Sequence, residues 1–353
     1  MPTPTSAQQC SLALTLAALS TVFLLGCQPS EEASEATKQP TSLMLQNSQA
    51  QKHASEYFWQ QGGSSFIAAA KATGDLRDSV IAFINDSSDE SLQKLQQQWH
   101  RAHNIYVANA IYTALSSGNP GLFAALDAIN FRIDAHPIQP GHLDSFDVYS
   151  RSGIVNDIAI PITAQTVRAQ HGASHDSDVS TGFHALAYLI FGEHGQRPLT
   201  QLQTHTKLLQ SQIHNGLTIN DLSVNRRRSL MQLLSELLLD DMRQLQSEWQ
   251  LNNGSLHTSY MALTPPSRLQ LIRKACEERL ASQEQAFEQA PDMIENRFAG
   301  GEQERSRAAL LGLDKAIDAS IRAQIFSQDE ASQWQQRLQN ALNKLAPSDE
   351  KPL

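Results

Sequence analysis

The residue with the clearest capacity for metal chemistry is His184, in the short apolar segment Gly182–Phe191. Residues three positions apart share one face of a helix, so a carboxylate at position 187 would complete a His/carboxylate pair that binds a cation. The residue there is Ala187, and Tyr188 takes the place of the second histidine of an H-E-x-x-H zinc peptidase. This segment alone therefore predicts no two-residue metal site and no peptidase centre. His184 is either a metal ligand or, the interpretation we favour, a buried imidazole hydrogen-bonded to a partner helix.

Two other groups contain residue types that bind cations. One lies in a polar loop just before this segment, and the other is a pair of histidines three positions apart; they are His171, His175, Asp176 and Asp178, and His100 and His103. Neither spacing is diagnostic of a metal site, and His/Asp-rich loops are mostly solvated surface. We favour a surface role for the loop, and we expect neither group to be a metal site.

Several other kinds of chemistry find no support. The chain has no G-x-S-x-G motif, no cysteine beside a histidine and no glycine-rich phosphate loop. Of the three cysteines, Cys10 lies in an N-terminal segment that we expect to be removed and Cys27 is the expected lipidation site, both described below, so one cysteine, Cys276, remains. A single cysteine cannot form a cysteine-based zinc site. The 36 acidic and 27 basic residues give a net charge of −9 without a Lys/Arg block, which argues against nucleic acid as a partner.

The N-terminus has the features of an export signal. An apolar run from Ser11 to Gly26 ends just before Cys27 and is too short for a membrane-spanning helix. The sequence Leu24-Leu25-Gly26-Cys27 resembles the lipobox of bacterial lipoproteins, which implies cleavage after residue 26 and lipidation of Cys27. The alternative is an ordinary signal peptide cut elsewhere. We expect a signal peptide over 1–26, a flexible polar tether over 27–55, and an outer-membrane lipoprotein that faces the periplasm.

The elements that must position the candidate residues are predicted to be helices. Apolar residues recur at three- and four-residue steps from Phe66 to Ile84 and from Leu92 to Tyr112, and no run alternates as a strand does. This pattern predicts an all-α protein of two helical bundles, over 56–205 and 206–347. The segment Gly182–Phe191 is apolar on all sides and should be buried. Arg226 to Arg228 are expected to be a solvated helix start or an interhelical salt-bridge group rather than an anion site.

A series of motifs resembles the imelysin-like family. Residues 180–192, STGFHALAYLIFG, are similar to the signature helix of that family, whose G-x-H-x-x-E motif is G-x-H-x-x-A here because of Ala187. Further matches occur in the family's order from about residue 60 to 345. They are Trp99, Ala102 and Tyr106; Ile133 to Pro137 with Leu143 and Asp144; Arg226 to Arg228; and, more weakly, Asn296 to Phe298.

The resemblance implies an all-helical fold of two four-helix bundles, a location facing the periplasm, and a link to the uptake of iron or another metal. Some members are classed as metallopeptidases. It also implies an interdomain pocket in which His103 stands where the family commonly has arginine and His136 where it has tryptophan. The pocket residues are Gly182, His184, Ala187, Trp99, His103, Tyr106, His136, Asp144 and Arg297. Of these, Trp99 and Tyr106 are expected to be core residues.

We therefore expect a binding or accessory component of iron or metal uptake, with iron or another divalent metal as its ligand and iron-transport components as partners. We expect no peptidase activity, because the motif carboxylate is missing. Two alternatives stay open. One is a metal-dependent hydrolase whose ligands come from several segments, and the other is a structural or protein-partner role without a small ligand.

Overall fold

The protein is all-α, as the periodicity predicted. The computed structural model describes residues 38–250, 254–289, 298–322 and 326–345. Within these ranges it has helices and no strand, apart from an isolated bridge between Phe146 and Tyr149. Among the same residues, no helix combines the length and apolar character needed to cross a membrane. Cys27 and Arg297 lie outside the described residues, so the predictions made for them stay predictions.

The helices differ widely in length, and among the described residues short 3₁₀ helices lie between them at Pro140–His142, Leu199–Gln201 and Ile219–Asp221. The α-helices are α1 Lys38–Asn85, α2 Asp89–Ala108, α3 Ala110–Thr113, α4 Leu115–Gly118, α5 Pro120–Asp134, α6 Gly153–Asn156, α7 Ala164–Gln170, α8 Gly182–Phe191, α9 Gln210–His214, α10 Ser223–Glu248, α11 Ser255–Ala262, α12 Pro265–Gln289, α13 Glu302–Arg322 and α14 Gln328–Lys344.

Several helix starts are determined by local sequence. Helix α2 begins with a capping box, in which Ser88 and Ser91 each accept the other's backbone N–H, and Ser327 and Glu330 form the same arrangement before α14. Before α5, the side chain of Asn119 accepts the N–H of the third residue along. These side chains satisfy N–H groups that have no partner inside the helix.

Helix α8 is enclosed by other elements. All of its residues are buried, and it packs against α2, α5 and α10. The indole N–H of Trp99 on α2 donates to the carbonyl oxygen of Phe183 at 2.9 Å. The helix ends at Gly192, whose φ of +69° favours glycine. The prediction that this segment is buried is confirmed, because no face of it carries the polar residues that solvent contact requires.

Helices from both halves of the chain contribute to one core. Helix α2 packs along α13, α12 packs against α4, and α10 packs against α5 and α8. All these helices belong to one compact unit that begins at Asn47. The division into bundles at 56–205 and 206–347 stays a prediction. Residues 47–55, predicted as the end of the tether, are part of α1, where Ala54 and Ser55 are buried.

The three consecutive arginines at the start of α10 are buried, so the prediction of a solvated helix start is wrong. Arg226 donates to four backbone carbonyls of the segment 154–160. Arg228 donates to the carbonyls of Ile84 and Leu202. Of the three, Arg227 forms a salt bridge, with Asp144 at 2.6 Å, but Asp144 lies in the loop after the 3₁₀ helix Pro140–His142 and not on another helix. Guanidinium groups tolerate this burial because carbonyl and carboxylate oxygens replace water around them.

Candidate metal centre

Two histidines and one aspartate from three helices converge on a common point. Nε2 of His103 on α2 lies 2.7 Å from Oδ1 of Asp134, the last residue of α5. Nε2 of His184 on α8 lies 3.3 Å from the same oxygen. One ligand atom from each of these residues lies within 4.8 Å of the other two, and no other group of three potential ligands meets this criterion in the part of the chain that the structure describes. We call this group the metal cluster.

A glycine allows α8 to bring His184 to Asp134. Gly182, the first residue of α8, has a φ of +89°, and a Cβ there would lie only 2.5 Å from the carbonyl oxygen of Ile133. Only a residue without a side chain permits both this backbone conformation and this approach. The start of α8 is therefore pressed against the end of α5, and His184, two residues further along, reaches the carboxylate that ends α5.

His103 is held by aromatic rings. Its imidazole stacks on Phe183 with ring centroids 4.7 Å apart, and the ring of Trp99 lies 4.9 Å away. His103 is only 2% exposed. The ring of His184 stands edge-on to that of His103 at 5.0 Å. Rigid packing of this kind fixes the direction in which Nε2 of His103 points.

The surroundings set the charge of the metal cluster. Burial lowers the pKa of His103 to about 4, and Asp134 opposes this only in part, so its imidazole is neutral at pH 7. Burial by itself would raise the pKa of the Asp134 carboxyl. The nearby His103 and His184 outweigh this effect and hold the pKa well below its usual range. A neutral imidazole and an ionised carboxylate are the forms in which these groups bind a metal.

The metal cluster also contains polar atoms that the described residues leave without hydrogen bonds. Nδ1 of His103 and Nδ1 of His184 are buried and lack a hydrogen-bond partner among the described residues, and Nε2 of His184 has only the contact with Oδ1 of Asp134 at 3.3 Å, a distance longer than that from His103. Such atoms carry a free-energy cost unless something satisfies them. A cation bound by His103, Asp134 and His184 would satisfy Nε2 of His184, so the residues fit a metal ion. Two imidazoles and one carboxylate with open positions are the ligands typical of non-haem iron(II), and they also suit zinc.

The structure places the other predicted pocket residues unevenly around the metal cluster. Trp99 and Tyr106 are buried in the core, as expected, and the Tyr106 hydroxyl donates to the side chain of Asn130. His136 is exposed, with its ring 5.3 Å from that of His184. Ala187 is fully buried and supplies no ligand.

Asp144 contacts arginines rather than the metal cluster, since its carboxylate binds Arg227 and Arg197. Sequence analysis missed Asp134 as a site residue, although it lies inside one of the motifs that carried the family resemblance. The motif was the feature of the sequence from which Asp134 could have been identified. The carboxylate of Asp134 does not share a helix with His184, so no helical spacing connects these two residues.

The polar loop before α8 has a structural role. Nε2 of His171 lies 3.1 Å from the carbonyl oxygen of Phe131, and Nδ1 accepts the backbone N–H groups of Ser180 and Thr181 at the start of α8. Oδ2 of Asp178 accepts two backbone N–H groups within its own loop. The contacts of His171 tie the loop to α5 and to the start of α8, and they occupy both of its ring nitrogens.

The comparisons with known proteins agree with the motifs. A sequence model described as imelysin matches residues 64–347, and its name classes the family among peptidases. No curated protein matches the chain.

Proposed function

Because the chain belongs to the imelysin family, we propose that it binds a divalent metal ion, iron foremost, through the metal cluster. The observation that supports this most directly is the convergence of His103, Asp134 and His184, with unsatisfied nitrogens, in a buried setting. In this proposal Asp134 supplies the carboxylate that Ala187 cannot. The metal would be held between three helices rather than along one.

The protein would serve iron or metal uptake as a binding or accessory component, with iron-transport components as partners. Its place would be the periplasmic side of the outer membrane, held by lipidated Cys27. The sequence Leu24-Leu25-Gly26-Cys27 supports this location. Fractionation of cells that express a Cys27→Ser variant tests it, because loss of the lipid should release the protein into the soluble periplasmic fraction. Retention of the variant in the membrane fraction would contradict the anchor.

Titration of chelator-treated protein with Fe²⁺, Zn²⁺ and Mn²⁺, followed by calorimetry, tests metal binding. We expect one ion per chain, and His184→Ala should weaken binding by more than the roughly 10- to 100-fold that loss of an outer-shell partner costs. His214→Ala is the matched control, because His214 is exposed and lies outside the metal cluster. Absence of stoichiometric binding by the unaltered protein would favour a structural or protein-partner role.

A specific observation supports a second candidate, a metal-dependent hydrolase. Catalytic zinc sites use three protein ligands and leave a position for water, and the metal cluster offers three ligands from separate helices. Asp134 is 16% exposed, so the cluster has limited contact with solvent. Incubation of the metal-loaded protein with a panel of unfolded peptides separates the candidates. Metal-dependent cleavage that His184→Ala abolishes would favour the hydrolase.

A further inference from the structure

A polar cavity of about 420 Å³ lies beside the C-terminal half of α8. We call it the arginine cavity. Its inner wall is formed by the buried residues Arg197, Arg227 and Tyr188, and its mouth by the exposed residues Ser150, His194 and Gln196. Since a water molecule in the liquid takes about 30 Å³, the cavity has room for a small organic molecule.

The buried charges of this wall do not balance one another. Nε and one terminal nitrogen of Arg227 lie 2.6 and 3.0 Å from the two carboxylate oxygens of Asp144. A terminal nitrogen of Arg197 lies 3.2 Å from the same carboxylate. Two guanidinium groups therefore share one carboxylate. Asp144 does not line the arginine cavity and is only 1% exposed, so the arginines stand between it and the cavity.

Arg197 has a donor that the described residues leave unused. Its terminal nitrogens donate to Gln201 Oε1 at 3.1 Å and to the carbonyl of Tyr188 at 3.0 Å, whereas its buried Nε has no hydrogen-bond partner among the described residues. The side chain is 6% exposed. Gly192 also lines the arginine cavity, and a Cβ on it would lie 3.3 Å from this Nε. The absence of a side chain at Gly192 therefore lets Arg197 pack directly against its backbone at the wall of the cavity.

The pKa of Arg197 is consistent with an excess of positive charge on the inner wall of the cavity. Burial lowers the pKa of its guanidinium to about 10, with Asp144 opposing the shift and Arg227 adding to it. One acidic residue, Glu193, lines the cavity and accepts the backbone N–H of Asp147 at 3.0 Å; it carries a negative charge, but the salt bridges of Arg197 and Arg227 among the described residues are with Asp144. A second negative charge beside the two arginines would be favourable in this partly desolvated place.

We propose that the arginine cavity binds a small organic oxyanion, with its carboxylate or phosphate group against Arg197 and Arg227 and its remaining polar atoms toward the mouth. Arg227 already binds Asp144 through Nε and one terminal nitrogen and donates the other terminal nitrogen to the carbonyl of Gln201. The unused Nε of Arg197 is therefore the direct donor to the oxyanion, and Arg227 contributes its positive charge. The exposed hydroxyl, amide and imidazole at the mouth suit hydroxyl groups on the rest of the ligand. This site is independent of the metal cluster, which uses different residues.

Calorimetric titration in the presence of EDTA tests the proposal, because the chelator removes metal-mediated binding of the same anions. The probes are inorganic phosphate, L-malate and, as an uncharged polyol, erythritol. We expect saturable binding of phosphate, malate or both, and none of erythritol. Phosphate alone would identify a phosphate ligand, and malate alone a carboxylate. The His184→Ala variant should bind the same anions unchanged, which separates this site from metal binding.

Variants then locate the site. Arg197→Gln keeps hydrogen-bonding capacity without the charge, and we expect it to weaken anion binding by about tenfold or more, in line with hydrogen bonds to charged groups. Because Arg197 is buried, Ser150→Glu provides a second variant at an exposed position, where a new carboxylate at the mouth should also weaken binding. Ser332→Glu is its matched control, because it adds the same charge at an exposed position on α14. Absence of saturable anion binding, or equal binding by Ser150→Glu and Ser332→Glu, would overturn the proposal.

Discussion

Replacement of Gly182 by alanine tests the link between one backbone position and the metal cluster. Gly182 has a φ of +89°, and a Cβ there would lie 2.5 Å from the carbonyl oxygen of Ile133 and 2.7 Å from that of Arg132. Both neighbours are backbone atoms, so no side chain can rotate away. Helix α8 would have to shift by about 1 Å from the end of α5 to restore an ordinary contact.

The expected cost has two parts. A non-glycine residue with this backbone conformation costs about 1–3 kcal/mol, and forced displacement of packed elements costs about 1–3 kcal/mol more. We therefore expect Gly182→Ala to lower the free energy of unfolding by roughly 2–6 kcal/mol, measured by urea denaturation. Metal affinity should fall as well, because ligand distances in metal sites hold within about 0.2 Å and the shift carries His184 away from Asp134.

A second glycine separates the two contributions. Gly216 has a φ of +73°, and no atom lies within 4 Å of a Cβ built on it. Gly216→Ala should therefore show the backbone cost alone and leave metal affinity unchanged. Equal destabilisation by the two substitutions, or unchanged metal affinity of folded Gly182→Ala, would refute the account of how α8 positions His184.

Three further predictions concern the buried polar groups. Burial would raise the pKa of Asp144, but Arg227 and Arg197 hold this pKa below its usual range. The stability that the charge of Asp144 contributes should therefore be complete at neutral pH and be lost as the pH falls below about 4. The melting temperatures of Asp144→Asn and of the unaltered protein should accordingly converge in acid. Arg226→Lys cannot reproduce the four bonds to carbonyls and should lower unfolding free energy by about 1–3 kcal/mol, whereas the same change at the exposed Arg243 should not. Burial raises the pKa of the Cys276 thiol to about 12, so mass mapping should find it unmodified by thiol reagents at pH 8 until the protein is denatured.

The ligand residues of the metal cluster were predictable one at a time but not as a group. His184 stood out in its apolar segment, and His103 was noted for its spacing from His100. Asp134 was not identified as a ligand, because it lies 31 residues from His103 and on another helix. The clearest error concerned the arginines that begin α10. Consecutive charged residues in a sequence suggest exposure to solvent. The fold is needed to show that Arg226 is surrounded by backbone carbonyl oxygens.

The sequence by itself determined the helical class, the capped starts of α2 and α14, the burial of α8 and the loss of the motif carboxylate at Ala187. Each of these depends on residues a few positions apart, because helical periodicity and capping are interactions within one or two turns. The tertiary structure decided which groups meet: Asp134 with the two histidines, and Asp144 with an arginine 83 residues away. Such contacts depend on how closely two helices approach each other. At α8 the close approach to the end of α5 is possible because Gly182 has no side chain.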